Sequence, residues 1–209
     1  MIKVLIADDH TIIRRGLKQI IIEESDMIVA GEARSDAEAL ELARHCEPDV
    51  ILLDISLPGR SGLDVLKELR HEYPELPVLT LTMHTEEQVA VRAFKAGAAG
   101  YLTKESAPEE LIQALRKVAG GGRYVSPAFA ERLALRVANH EQLLHETLSD
   151  REYQVLHFIA VGKTVSEIAK QLSLSVKTIS TYRSRVLEKM HLKNNAELMR
   201  YAVTHQLFE

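Results

Sequence analysis

A parallel, doubly wound α/β sheet of five strands, followed by a separate all-α unit, is the architecture the sequence predicts, and three observations predict it. Short apolar runs alternate with amphipathic stretches five times over residues 1–119. The runs lead into Asp8-Asp9, Asp54, Thr82 and Lys104, so polar groups gather at the carboxyl ends of the strands. After residue 148 the apolar runs cease and only helical periodicity remains. An unbroken apolar run bounded by turn formers is the pattern of a strand covered on both faces, and its repeated alternation with helices makes a parallel sheet.

The elements follow in order. Strands are expected at Lys3–Ala7, Met27–Ala30, Asp49–Leu53, Val78–Thr82 and Gly100–Leu102. Helices are expected at Ile12–Glu23, Asp36–His45, Gly62–Tyr73, Glu86–Ala96 and Pro108–Ala119. Ser35-x-x-Glu38, Thr85-x-x-Gln88 and Ser106-x-x-Glu109 read as capping boxes, in which side chains satisfy the free N–H groups of a first turn. Gly97 stops the fourth helix. Gly120-Gly121-Gly122 cannot hold a helix interior and marks a hinge or linker. Pro127, Leu133, Val137 and Leu144 give a linker helix over residues 127–145. Four helices then follow at about 150–161, 165–172, 176–190 and 195–205, two of them opened by Ser149-x-x-Glu152 and Thr164-x-x-Glu167. The expected organisation is a first domain over 1–119, a linker over 120–147 and a second domain over 148–209.

Composition excludes several classes. A chain of 209 residues that is 46% hydrophobic and 27% charged supports two small cores. No stretch approaches the roughly 20 apolar residues that span a bilayer. The start lacks a basic head and a cleavable apolar segment, so the expectation is a cytoplasmic protein with no membrane partner. A single cysteine, Cys46, forms no intrachain disulfide and reads as an ordinary, partly buried thiol. Residues 1–120 carry 14 Lys+Arg against 21 Asp+Glu, a net of −7, whereas residues 148–209 carry 9 against 6, a net of +3. An acidic part joined to a mildly basic part suggests different partners for each.

Asp8-Asp9 and Asp54 end two apolar strands, so three carboxylates converge where open α/β sheets place their chemistry. Their repulsion calls for a cation, and an all-oxygen site of this charge suits Mg2+ or Mn2+. Thr82 adds a hydroxyl and Lys104 an ammonium from the neighbouring strand ends. That set fits phosphoryl transfer to Asp54: cations neutralise the equatorial oxygens while the carboxylate attacks in line. Each residue alone has a plainer reading. Asp8-Asp9 could oppose a helix dipole, Lys104 could be a solvated lysine, and Thr82 and Tyr101 ordinary strand residues. Only their joint placement argues for chemistry. His10 and His84 lie near the same crevice, but imidazole is a poor match for a hard cation, and His84 more readily governs water access to a phosphoryl group.

Residues 1–119 resemble the receiver domain of bacterial two-component response regulators of the NarL/FixJ group, a flavodoxin-like fold. The resemblance implies Asp54 as phosphoacceptor, Asp9 as a direct metal ligand and Asp8 as a ligand mainly through water. It implies that Ser56 supplies a backbone carbonyl to the metal and that Pro58-Gly59 shapes the loop. Thr82 matches the switch hydroxyl, Tyr101 the switch aromatic and Lys104 the invariant lysine. A sensor histidine kinase would be the phosphoryl donor.

In the last third, a short helix from Val165 is followed by a tight turn and a longer helix, Val176–Met190. Val176, Ile179, Val186, Leu187 and Met190 recur with the 3.6 period and are expected to face inward, leaving Lys177, Ser180, Thr181, Ser184 and Arg185 outside. Such a helix suits a major groove. Residues 148–203 resemble the LuxR-type helix-turn-helix domain. By that resemblance Lys177, Ser180, Thr181 and Ser184 approach bases or flanking phosphates of promoter DNA. Tyr182, Arg185 and Lys189 position the backbone. Many relatives have lysines where this chain has Ser180 and Ser184, which implies a weaker or water-mediated base readout. The last helix, Ala196–His205, would join two copies into a homodimer after phosphorylation, and RNA polymerase would be a further partner.

Two other function classes compete with a phosphorylation-controlled regulator. Phosphatases that pass through an aspartyl phosphate place a second acid two residues after the nucleophile, where this chain has Ser56. The C-terminal helices could instead form a protein-binding bundle, which the salt dependence of duplex affinity would distinguish.

Overall fold

The apolar runs become β1 (Ile2–Ala7), β2 (Met27–Ala33), β3 (Val50–Asp54), β4 (Val78–Thr82) and β5 (Gly100–Thr103) of one parallel sheet, in the order β2-β1-β3-β4-β5. The structure is a computed structural model. It describes residues 1–209 except 56–61, 84–86, 128, 132–142, 206 and 208–209, with only the backbone of residues 87 and 88. Two compact units emerge, one made of Met1–Met83 with Val89–Arg132 and the other containing the C-terminal helices.

Helices α1 (Thr11–Ile22), α2 (Asp36–Cys46), α3 (Gly62–Glu72), α4 (Glu87–Lys95) and α5 (Pro108–Ala119) alternate with the strands. Val4, Ile6, Leu52, Leu79, Leu81 and Leu102 point to one face, where Leu17 and Ile21 of α1 and Leu111, Leu115 and Val118 of α5 cover them. Leu5, Ile51 and Leu53 point to the other and are fully buried. A side chain of this size contributes about 1.5–3 kcal/mol when fully buried. Burial on both faces explains the near absence of polar residues inside β1 and β3.

The second strand is longer than expected, reaching Ala33 rather than Ala30. Gly31-Glu32 looks like a strand end, but the β1–β2 register shifts by one residue between Val4 and Leu5. The shift lets pairing resume, with Glu32 opposite Ile6 and Ala33 opposite Ala7. The proposed capping box at Ser106 does not form. Pro108 is the first residue of α5, and the extended backbone that precedes proline makes Ala107 the N-cap. Ser106 instead lies 3.3 Å from the Thr103 hydroxyl. At α2 only half a box forms: Ser35 Oγ accepts the Glu38 N–H, while the Glu38 carboxylate takes the N–H of Arg34. The box at Thr85 lies outside the described residues.

The three glycines after α5 turn the chain back onto the sheet. Gly121 has φ 81°, and Tyr124 then donates its N–H to Ala99 and bridges Gly100 on the outer edge of β5. Phe129 follows, buried against Tyr101 and Phe94 at ring distances of 6.0 and 6.5 Å. Most of the expected linker helix over 127–145 lies outside the described residues, and Leu144 belongs to a 3-10 turn, Leu144–Thr147.

In the second unit α6 (Asp150–Ala160), α7 (Val165–Gln171), α8 (Val176–Lys189) and α9 (Asn195–Thr204) enclose Val155, Leu156, Ile159, Ile168, Ile179, Val186, Met190 and Leu198. Both expected capping boxes, at Ser149 and Thr164, are complete. Val176 departs from the expectation: it is 51% exposed rather than buried. Periodicity fixes the direction of a side chain, not whether another element reaches the end of the helix that carries it. Lys189 is exposed at the end of α8, and its ammonium lies 2.6 Å from the buried Glu152 carboxylate. Burial would raise the Glu152 pKa, but Lys189 and the N–H of Ser149 overcome it and hold the carboxyl below its usual range.

Gly62 sets the start of α3 beneath the end of β3. Its N–H donates to the Ile55 carbonyl at 3.1 Å, and a Cβ there would sit 2.5 Å from the Ile55 Cα and carbonyl oxygen. Backbone atoms cannot step aside as a flexible side chain would. Gly62→Ala should therefore lower unfolding free energy by about 1–3 kcal/mol in urea denaturation followed by circular dichroism, and wild-type stability would contradict the packing described.

Candidate functional site

Adjacency of β1 and β3 in the sheet brings the acidic residues together. Ala7 pairs with Leu53, so the residues one step beyond, Asp8 and Asp54, emerge side by side at the carboxyl edge. This is the point where the strand order reverses, the usual ligand position in open α/β sheets. Asp54 is the last residue of β3 and is 1% exposed, as is Asp8.

Lys104 enters from the turn after β5, its N–H donating to the Thr82 carbonyl at 2.7 Å. Its ammonium donates to Asp54 Oδ2 at 2.6 Å and lies 2.8 Å from Asp8 Oδ2. Burial alone would lower the pKa of this lysine; the two carboxylates outweigh that and hold it above its ordinary value. Thr82 is fully buried as the last residue of β4, the strand beside β3, with Thr103 paired to it. Tyr101 is buried on β5 beneath Phe129. Asp8, Asp9, Asp54, Thr82 and Lys104 thus lie at the carboxyl ends of three adjacent strands and in the turn after the fourth. Ser56, Pro58-Gly59 and His84 lie outside the described residues.

Asp8, Asp9, His10 and Asp54 offer ligand atoms within 4.8 Å of one another. Asp9 Oδ1 is buried and, among the described residues, accepts no hydrogen bond, although His10 Nδ1 stands 2.9 Å away. His10 Nδ1 is also 3.3 Å from Asp8 Oδ1. Carboxylate oxygens predominate, so the donor set fits a hard divalent cation. Arg14, not among the candidate residues read from the sequence, lies under this loop and donates to the Asp8 carbonyl at 2.7 Å. The available signal was an arginine in register with Leu17 and Ile21 on the inward face of α1.

A second polar surface lies on α8. Lys177, Ser180, Thr181, Ser184 and Arg185 are all exposed, and Tyr182 is half-buried. Ser175 caps the helix by accepting the Thr178 N–H, and Ser173 in the preceding turn has φ 54°, a left-handed conformation that serves the sharp reversal between α7 and α8. Arg183, one residue from the outer face, is tied to Asn195 Oδ1 of α9 at 2.6 Å.

Two family descriptions match these two regions. Residues 4–116 match the response regulator receiver domain, and residues 146–202 match the bacterial regulatory proteins of the luxR family. The chain is a two-component response regulator of the NarL/FixJ family. The chain is 38% identical to the response regulator GacA of Pseudomonas aeruginosa, over 100% of this chain and 99% of that protein. It is 36% identical to the response regulator UvrY of Escherichia coli, over 99% and 96%. Among solved structures, RcsB of Salmonella enterica serovar Typhimurium, bound to promoter P1flhDC in the presence of the phosphomimetic BeF3−, superimposes with a TM-score of 0.71 at 27% identity, covering 96% of this chain and 97% of that one. The receiver match encloses the acidic pocket of this response regulator, and the luxR match encloses α6 to α8 with most of α9. No helix among the described residues is long and apolar enough to cross a membrane.

Cation binding to the pocket should stabilise the receiver. Mg2+ at ten times its dissociation constant should add about 1.4 kcal/mol to unfolding free energy, and Asp9→Asn should remove the effect. Thermal melts with and without Mg2+ measure this, and a melt that Mg2+ leaves unmoved would contradict the site.

Proposed function

We propose that Asp54 accepts a phosphoryl group from a sensor histidine kinase and that the modification controls promoter binding by the C-terminal helices. The Lys104 bridge to Asp54 and Asp8 is the observation that carries this reading. A buried ammonium on the acceptor carboxylate is matched to an acid that must bind a group of greater negative charge.

In the transfer, an Asp54 oxygen forms a bond to phosphorus as the bond from phosphorus to the donor nitrogen breaks, and the imidazole leaves with that electron pair. Lys104 then pairs with a phosphoryl oxygen in place of a carboxylate oxygen. Thr82 supplies a hydroxyl from the adjacent strand. Asp9 and Asp8, with the Ser56 carbonyl, would hold Mg2+, which when bound neutralises charge on the transferring group. Tyr101 and Thr82 are the switch residues: the phosphoryl group interacts differently with two local packings and so biases one of them. The chain serves as a stoichiometric acceptor, not as a catalyst, and the absence of an acid at Ser56 supports this.

On α8, Lys177, Ser180, Thr181 and Ser184 are the groups for base edges and nearby phosphates, and Arg185 and Tyr182 for backbone positioning. Thr181 Oγ1 donates to the Lys177 carbonyl and Ser184 Oγ to the Ser180 carbonyl, both at 3.0 Å. With their protons spent on the helix, these oxygens accept, which suits the amino groups of adenine and cytosine. Lys189, committed to Glu152, contributes less to phosphate contact than its position suggests. Val203 of α9, 63% exposed, offers apolar surface for pairing two DNA-binding domains. A cytoplasmic homodimer that engages RNA polymerase at promoters completes the reading.

Asp54→Asn should take up no label from radioactive acetyl phosphate, and labelling at the wild-type level would overturn the acceptor assignment. Lys177→Ala combined with Arg185→Ala should reduce the steepness of log affinity against log salt by about 2, while phosphorylation is unchanged. An unchanged slope in that double variant would show that α8 does not present this face to DNA.

A further inference from the structure

We infer that Arg14 is a positioning residue for the metal pocket, fixing Asp8 so that Asp9 is the carboxylate left to adjust to the cation. The inference rests on the metal-assisted phosphoacceptor reading of the pocket.

Asp8 is engaged at each polar atom, by hydrogen bonds at its N–H, carbonyl and Oδ1 and by an ion pair at Oδ2. Its N–H donates to the Ala33 carbonyl at 3.1 Å, and its carbonyl accepts from Arg14 Nη1 at 2.7 Å. Its Oδ1 accepts the His10 N–H at 2.7 Å, and its Oδ2 faces Lys104. Asp9, next in the chain, has a side chain 32% exposed, and its contact is with the exposed ring of His10, Nδ1 standing 2.9 Å from Oδ1. The loop therefore presents one locked and one adjustable carboxylate.

Arg14 is an expensive way to hold a loop. Its side chain is 4% exposed, on the inward face of α1 where an aliphatic residue would serve folding. Desolvating a guanidinium costs several kcal/mol, and a buried ion pair is commonly replaced by apolar residues without loss of stability. What an aliphatic residue cannot do is donate in two directions. Arg14 Nη1 reaches the Asp8 carbonyl while Nε lies 3.3 Å from Glu32 Oε2. Glu32 also takes Lys18 at 2.6 Å.

The strand irregularity points the same way. Without the one-residue shift between Val4 and Leu5, Glu32 would pair with Ala7 and lie on the opposite face of the sheet. The bulge turns Glu32 toward α1 and also places the Ala33 carbonyl against the Asp8 N–H. Bulges are enriched beside functional sites, where they re-aim a side chain. A single irregularity thus supplies the Arg14 partner and one of the anchors of Asp8.

Partners of this outer kind typically change metal affinity 10–100-fold. The test uses the full-length chain and Mn2+ as probe, with free Mn2+ counted by its electron paramagnetic resonance signal. Arg14→Lys keeps the charge but cannot span both acceptors, and should weaken Mn2+ binding by about tenfold. Glu32→Gln, at a more exposed position, should weaken it in the same direction without altering the metal-free melting temperature. In acetyl phosphate labelling, the Mg2+ concentration for half-maximal rate should rise while the rate at saturating Mg2+ holds. Wild-type Mn2+ affinity in both variants would overturn the inference, and if Arg14→Lys does not fold, Glu32→Gln decides alone. Asp9→Asn separates the two levels. Loss of Mn2+ binding in Asp9→Asn with none in the Arg14 and Glu32 variants defeats the positioning role only, and wild-type binding in Asp9→Asn defeats the metal reading beneath it.

Discussion

Two carboxylates from neighbouring strands lie at the same edge of a dry sheet, and the Lys104 ammonium between them makes that arrangement tenable. Its contacts to Asp54 and Asp8, at 2.6 and 2.8 Å, replace the water that burial removes. Removing one partner of such a cluster would leave an uncompensated buried charge, a change that costs about 3–5 kcal/mol in comparable sites. The same contacts make the site responsive. On the proposed reading, a phosphoryl group on Asp54 would change what Lys104 pairs with, and the pocket would repack around the new charge.

The sheet topology explains why these groups meet at all. Parallel strands carry their carboxyl ends to one edge, and the order β2-β1-β3 places the residues after β1 and β3 side by side. Tyr101 and Phe129 extend the arrangement sideways along β5. Tyr124 pairs with Gly100, and a Cβ on Gly100 would fall 3.1 Å from the Tyr124 Cβ and 2.7 Å from Leu79 Cδ1. Only glycine lets the returning chain approach so closely. The receiver thus carries on its edge a segment that leads out of it and rests on the proposed switch aromatic.

Most of the fold was legible because its signals are local. Largely apolar runs of three to five residues, alternating with amphipathic stretches, located the five strands of the sheet to within a few residues. The pocket was legible for the same reason, since Asp8, Asp9, Asp54, Thr82 and Lys104 each follow or end such a run. What escaped depends on partners distant in sequence. The extension of β2 past Gly31 needs the register shift against β1, and nothing in Gly31-Glu32 itself announces it. Val176 has the right spacing for burial but no neighbour at the end of α8. The ion pair of Lys189 with Glu152, 37 residues earlier, is likewise not announced by the sequence around either residue. Ser106 failed as a cap because Pro108 dictates the backbone before it.

Two sites share one chain: an acidic pocket whose charge balance is proposed to change with phosphorylation, and a helix whose polar outer face is proposed to enter a DNA groove. Their coupling is the central claim, and a ligand couples sites only through a difference in affinity between two states. The most direct measurement is the affinity of the full-length chain for duplexes it selects from genomic DNA, at fixed salt, with and without BeF3− and Mg2+. The account predicts tighter binding with BeF3− by about 5–150-fold, and no such gain in Asp54→Asn. Equal affinity in both conditions, or the same gain in Asp54→Asn, would contradict it.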